Sequence, residues 1–173
     1  MLRSEERILT THTGSLPRPV SLTKLYVGRI RGEPVSDADI LAAGRAAIAE
    51  VVPRQVAAGI DIGNDGEQTR EGFFIYLRRR LTGFGGAWDR PPRADVEQYP
   101  AFKEMQKAAN AAKVAVSGRD AVPKAIGEVR YIDESAIEEE CSTFKSILKA
   151  QGEPFRETFV TAPSPGILAT SLK

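Results

Sequence analysis

Apolar residues recur at helical spacing at Ile40, Ala43, Ala47, Ile48, Val51 and Val52, and again at Ile137, Cys141, Phe144, Ile147 and Leu148. Such stripes predict two long helices, each with one face turned to a core. Ser36 is suited to cap the first, with Asp37 and Asp39 in its positive first turn and Gly59 placed to end it. Pro53 lacks a backbone donor and predicts a kink or division there. Asp133 caps the second helix, which runs from about Glu134 to Ala150. A shorter helix is predicted from Ser21 to Arg31, stopped by Gly32 and Pro34. Phe73, Phe74, Tyr76, Leu77 and Leu81 predict a further helix with one buried face, with Arg70, Arg78, Arg79 and Arg80 over much of the rest.

Between these helices lie short apolar runs bounded by breakers. Ile60 and Ile62 form a strand that Asn64, Asp65 and Gly66 interrupt, and Glu67 follows at the mouth of the turn. Ile8 to Pro19, ILTTHTGSLPRP, is a threonine-rich strand that runs into Gly14 and Ser15 and is stopped by two prolines. Phe155 to Thr161 is a third strand. Strands alternating with helices predict an α/β architecture, in which ligand-binding groups sit where strands end. From Gly83 to about Pro100 the composition shifts to Gly, Pro, Trp, Asp and Arg, an irregular excursion. A helix over Phe102 to Ala115 and a strand over Ile126 to Ile132, with Val129 and Tyr131 on one face, complete a segment 83–132 that reads as an insertion or a lid.

Five residues at the strand ends are candidates for binding, and each has a plainer reading. Glu67 is either a ligand carboxylate or a solvated acid favoured by a helix start. Ser15 either binds a ligand or caps the turn before Pro17. Asp65 lines the site or only forms the Asn-Asp-Gly turn. His12, the single histidine, lines the pocket or serves as a structural hydrogen-bonding group. Arg18 holds an anionic tail or is a surface residue between two prolines. Cys141 lies on an apolar helix face and reads as buried packing, and the Arg78–Arg80 run as a solvated or salt-bridged face.

Composition narrows the classes. A formal net charge of +1 and 42% hydrophobic residues permit one core and give no global bias toward nucleic acid or membranes. One cysteine excludes an internal disulfide framework and suits a reducing compartment. No apolar run follows Met1 and none approaches about 20 residues, so the expectation is a cytoplasmic chain without signal or membrane helix.

Three stretches together carry a family resemblance: Ile8 to Pro19, Gly59 to Gly86 (GIDIGNDGEQTREGFFIYLRRRLTGFGG) and Phe159 to Gly166 (FVTAPSPG). They resemble the cobalamin-independent methionine synthase family, whose zinc-dependent barrel has a TTTIGSFPQ-like first strand and a GLDVLVHGEPER-like second strand. The resemblance implies a partial (β/α)8 TIM-type barrel over residues 1–173, consisting of the first strands plus the 83–132 insertion. It implies transfer of a methyl group from a methylated folate to a zinc-bound thiol such as homocysteine, giving methionine. Ser15 and Glu67 would hold the amino-acid part of the thiol substrate, and Asp65 stands where the synthases carry histidine. The family's zinc ligands are a His-x-Cys pair, a glutamate and a second cysteine, and His12 and Cys141 fit neither pattern, so zinc is implied by the family while its ligands are absent from this chain. A complete barrel takes about 250 residues, so the expectation is its front part, either a truncated product or a piece that needs a completing polypeptide or a second copy of itself. Two other readings stay open: a related thiol alkylation such as epoxyalkane transfer to coenzyme M, with a sulfonate on Arg18, and a non-catalytic binding module.

Overall fold

The computed structural model describes residues 2–86, 94–112 and 124–171. Ser36 accepts the Asp39 N–H at 3.0 Å and starts the longest helix, α2 (Asp37–Ala57), which follows α1 (Val20–Ile30). Pro53 does not divide α2. Proline at this position removes the hydrogen bond to the carbonyl four residues earlier, and that carbonyl, of Ala49, instead accepts Gln151 Nε2 at 2.9 Å. The side chain of a distant helix end thus repairs the interruption that the local sequence predicts. Gly59 closes α2 with φ +74°, a conformation that costs glycine little.

After α2 come β1 (Ile62–Asn64), a 3-10 turn at Ile75–Arg79 and β2 (Phe84–Gly85). The short α3 (Ala94–Glu97), α4 (Pro100–Ala112) and β3 (Lys124–Ala125) precede α5 (Ser135–Ala150), β4 (Glu157–Phe159) and α6 (Pro165–Ser171). Among the described residues β1 pairs with β4 in parallel, in the register Ile62 to Glu157, and β2 pairs with β3 in antiparallel fashion. The threonine-rich segment adds one parallel bridge, Thr11 to Ile62.

This arrangement corrects the expected partial barrel. Among the described residues the domain is mostly helical, with two two-stranded sheets, neither of which closes. Side chains take the backbone groups that a wider sheet would use. Gln55 of α2 donates to the Asn64 carbonyl at 2.8 Å and accepts the Asn64 N–H at 3.1 Å. Thr11 Oγ1 donates to the Ile62 carbonyl at 2.7 Å, and Asn64 Nδ2 donates to the His12 carbonyl. Such local bonds compete with ladder formation.

Two further expectations are corrected. The helix predicted after Phe73 is only the 3-10 turn, in which Arg79 and Arg80 reach to the buried carboxylates of Glu71 and Glu140 while the Arg79 side chain stays 39% exposed. The predicted strand at Ile126–Ile132 is reduced to one bridge, Leu81 to Tyr131. Parts of the 83–132 segment, residues 87–93 and 113–123, lie outside the described residues.

The core forms where α2 meets its neighbours. Leu22 and Tyr26 of α1 pack on Ile40 and Ala47, while Phe144 and Ile147 of α5 pack on Ile48 and Val52. Phe155 and Val160, flanking β4, join the second cluster. Cys141 is half-buried rather than part of that core. Gly63 is needed for β1 to approach β4, since a Cβ there would stand 2.3 Å from the Phe155 ring. Gly63→Ala is therefore expected to destabilise the fold by about 1–3 kcal/mol through overpacking. A shift in urea midpoint at unchanged slope checks this; an unshifted midpoint contradicts the packing.

Candidate functional site

Three chain segments end at one place. The loop after Thr11 delivers Ser15, the turn after β1 delivers Glu67, and the chain after β4 delivers Thr161. Their chemistry converges on the Glu67 carboxylate: Ser15 Oγ donates to Oε2 at 2.5 Å and Thr161 Oγ1 donates to Oε1 at 2.8 Å. Glu67 is 1% exposed, and no ion pair reaches it among the described residues. Its backbone adopts φ +55°, a conformation that disfavours a residue with a side chain.

The surrounding turn is over-determined, which explains how that conformation persists. Asn64 Oδ1 accepts the Gly66 N–H at 2.9 Å, and Asp65 Oδ1 accepts the Glu67 N–H at 3.0 Å. The Gly66 carbonyl accepts the Leu16 N–H at 3.0 Å, which ties the Ser15 loop to the turn. Tyr26 hydroxyl donates to the Gln68 carbonyl at 2.8 Å, and burial raises that phenol well above its ordinary pKa. Arg18 Nη2 donates to the carbonyls of Glu67 and Arg70 at 2.9 and 2.7 Å.

Asp65 is both turn former and buried acid. Burial raises its carboxyl pKa, opposed by the Glu67 N–H and by Arg70. A raised native value means that ionisation opposes folding: the contribution is most favourable below the unfolded value and is lost as pH rises through the native one. Asp65→Asn keeps an oxygen for the Glu67 N–H, so it is expected to gain stability relative to the parent between pH 4 and pH 7. Denaturation midpoints at both pH values test this, and a relative loss at pH 7 would refute it.

The candidate residues thus separate. Ser15 and Glu67 meet directly; Asp65 and Arg18 shape the backbone around them. His12 Nε2 lies 3.1 Å from the Gly14 carbonyl, a hydrogen bond within its own loop. Sequence reasoning missed Thr161, Arg70 and Glu140. Arg70, 1% exposed, donates to the Thr161 carbonyl at 2.5 Å and pairs with Glu140 at 3.0 Å. Arg80 also pairs with Glu140, at 2.6 Å, and the two guanidiniums flank the Tyr76 ring at 4.8 and 4.6 Å. Burial alone would raise the Glu140 pKa, but Arg70 and Arg80 outweigh it and hold the carboxyl below its ordinary value. The legible signal was an acid on an apolar stripe, since Glu140 shares its helix face with Phe144 and Ile147.

Zinc does not fit the donors present. Among the described residues no three His, Cys, Asp or Glu side chains come together as a metal-ligand group, and His12 and Cys141 lie on separate elements. No helix is long and apolar enough to cross a membrane among those residues.

Fold and site together define a mostly helical domain with a buried carboxylate where the loop after Thr11, the turn after β1 and the chain after β4 converge. Among solved structures, the chain is similar to a B12-independent methionine synthase from Shewanella sp. W3-18-1 in complex with selenomethionine, with a TM-score of 0.59 and 22% identity. The match covers 94% of this chain and 40% of that protein. The likeness is one of fold alone. No family profile matches the sequence, and no curated protein does.

Proposed function

We propose that this chain binds the amino-acid end of a thiol substrate in methyl transfer of the methionine synthase type, with homocysteine as acceptor, methionine as product and a methylated folate as donor. The observation that carries the reading is Glu67, a buried carboxylate that two hydroxyls satisfy in part and no cation neutralises among the described residues. A carboxylate offers about four acceptor sites, so the two hydroxyls leave room for an ammonium group. Ser15 is exposed and lies over the carboxylate, so rotation of its hydroxyl admits the ligand. Charge-assisted hydrogen bonds then hold the ammonium and orient the sulfur end. Family zinc would activate the thiol, but its ligands are not among the residues described; the role derived for this chain is binding and orientation.

The coenzyme M alternative finds less support. Arg18 already uses Nη2 on two backbone carbonyls and stacks over Tyr26 at 5.9 Å, as a structural brace. Calorimetric titration separates the readings. Methionine should bind and its des-amino analogue should not, whereas equal affinity for both, or preference for coenzyme M, would overturn the assignment.

A further inference from the structure

Along Tyr99 and α4, the apolar side chains of Tyr99, Phe102 and Met105 recur at three-residue spacing on one side, with Lys103, Glu104 and Lys107 on the other. Such a stripe is built to be covered. Yet from Pro100 to Ala108 every residue except Gln106 is exposed, and the main neighbour of α4 among the described elements is the short α3. A helix of 13 residues is marginal in water without tertiary packing. A second uncovered patch lies on the ribbon made by β2, β3 and the chain that follows. There Ile126, Val129, Tyr131 and Ile132 all stand exposed. The backbone beneath them is held in place: the Ile126 N–H donates to the Gly83 carbonyl at 2.8 Å and the Ile132 N–H to the Arg80 carbonyl at 2.9 Å.

We propose that these two patches are the halves of a homodimer interface, in which the apolar face of α4 in one copy lies on the ribbon of the second copy, and the reverse. The seven side chains are between 44% and 64% exposed, which leaves roughly 700 Å² per chain to bury, close to the about 800 Å² that each partner contributes to a standard interface. Either patch alone offers about half of that, the size of a crystal contact. The charges suit a partner that carries the same ones. Lys103 pairs with Glu97 and Arg130 with Glu128, each at 2.7 Å, and Glu104 stands one helical turn from Lys107, so neither patch presents a block of one sign to its own copy. The same balance gives little attraction to an anionic membrane or to nucleic acid. A covering helix also protects an exposed ribbon, which a contact between two α4 helices would leave bare. Two-fold symmetry closes the assembly at two chains.

The inference does not depend on the Glu67 reading. Sedimentation velocity of the full chain over a concentration series should show a monomer–dimer equilibrium in the micromolar range or tighter. Met105→Glu and Val129→Glu each place an unpaired charge in one half of the interface and should weaken the dimer about 100-fold or more. Both side chains are exposed within the single chain, at 61% and 46%, so urea midpoints at concentrations where the parent is monomeric should match the parent. Mixing the two variants should restore association in part, because the mixed dimer keeps one unaltered contact of α4 on the ribbon and each variant alone keeps none. A chain that is monomeric at every concentration, a monomer that floats with phosphatidylcholine vesicles, an undiminished dimer in Val129→Glu, or no recovery on mixing would overturn the proposal.

Discussion

Glu67→Gln is expected to lower affinity for methionine roughly 100-fold. The carboxylate is the one negative charge on which Ser15 and Thr161 converge, and truncating one side of a buried, hydrogen-bonded charge pair costs about 2–5 kcal/mol, of which 1.4 kcal/mol is tenfold. The fold should survive, because hydroxyls both donate and accept: Ser15 and Thr161 can reverse their hydrogen bonds toward the Gln amide. Calorimetry gives the affinity, and unfolding by urea gives the control. A variant as stable as the parent with unchanged methionine affinity would reduce Glu67 to a structural acid. The des-amino analogue supplies the reciprocal check, since the substitution should not weaken whatever residual binding it shows.

Glu140→Gln is expected to destabilise the fold by about 3–5 kcal/mol, the scale of breaking a buried ion pair by removing one partner. Here the removed charge serves two arginines, Arg70 and Arg80, whose side chains are 1% and 11% exposed and which would then be left near each other beside Tyr76 without the shared carboxylate. The effect carries a pH signature. The native Glu140 pKa lies below the ordinary 4.5, so its stabilisation is present above that value and is lost as pH falls through the native one. The gap between parent and variant should thus be full near pH 7 and narrow in acid. Urea midpoints across that range decide it, and a gap that stays constant down to pH 3 would place the stabilisation elsewhere. Because Arg70 also donates to the Thr161 carbonyl, loss of Glu140 should loosen the Thr161 arm of the Glu67 site as well.

Much of the helical framework was legible. Stripes of apolar residues at helical spacing and the Ser36 cap located α1, α2 and α5 within a residue or two, since those signals are local. The Ser15 and Glu67 stretches were legible too, as breakers after short apolar runs, and the structure joins those two side chains. Sheet extent was not. A run such as Ile8 to Thr13 has strand chemistry, yet Thr11, Asn64 and Gln55 give the backbone other partners, and the expected barrel gives way to paired short strands. The Arg78–Arg80 run was readable as salt-bridged, but nothing local showed that Arg80 would reach Glu140, 60 residues away.

The sequence by itself determined where α1, α2 and α5 begin and end, which faces α2 and α5 bury, and that a carboxylate and a hydroxyl stand at chain turns. Those are consequences of neighbouring residues, through backbone dihedrals, caps and period. Only the tertiary structure decided that Thr161 joins Ser15 on Glu67, that Gln151 repairs the helix at Pro53, and that four arginines share two buried acids. These depend on which distant groups meet in a low-dielectric interior, where an unpaired polar atom or charge is costly, and pairing therefore follows from packing rather than from position along the chain.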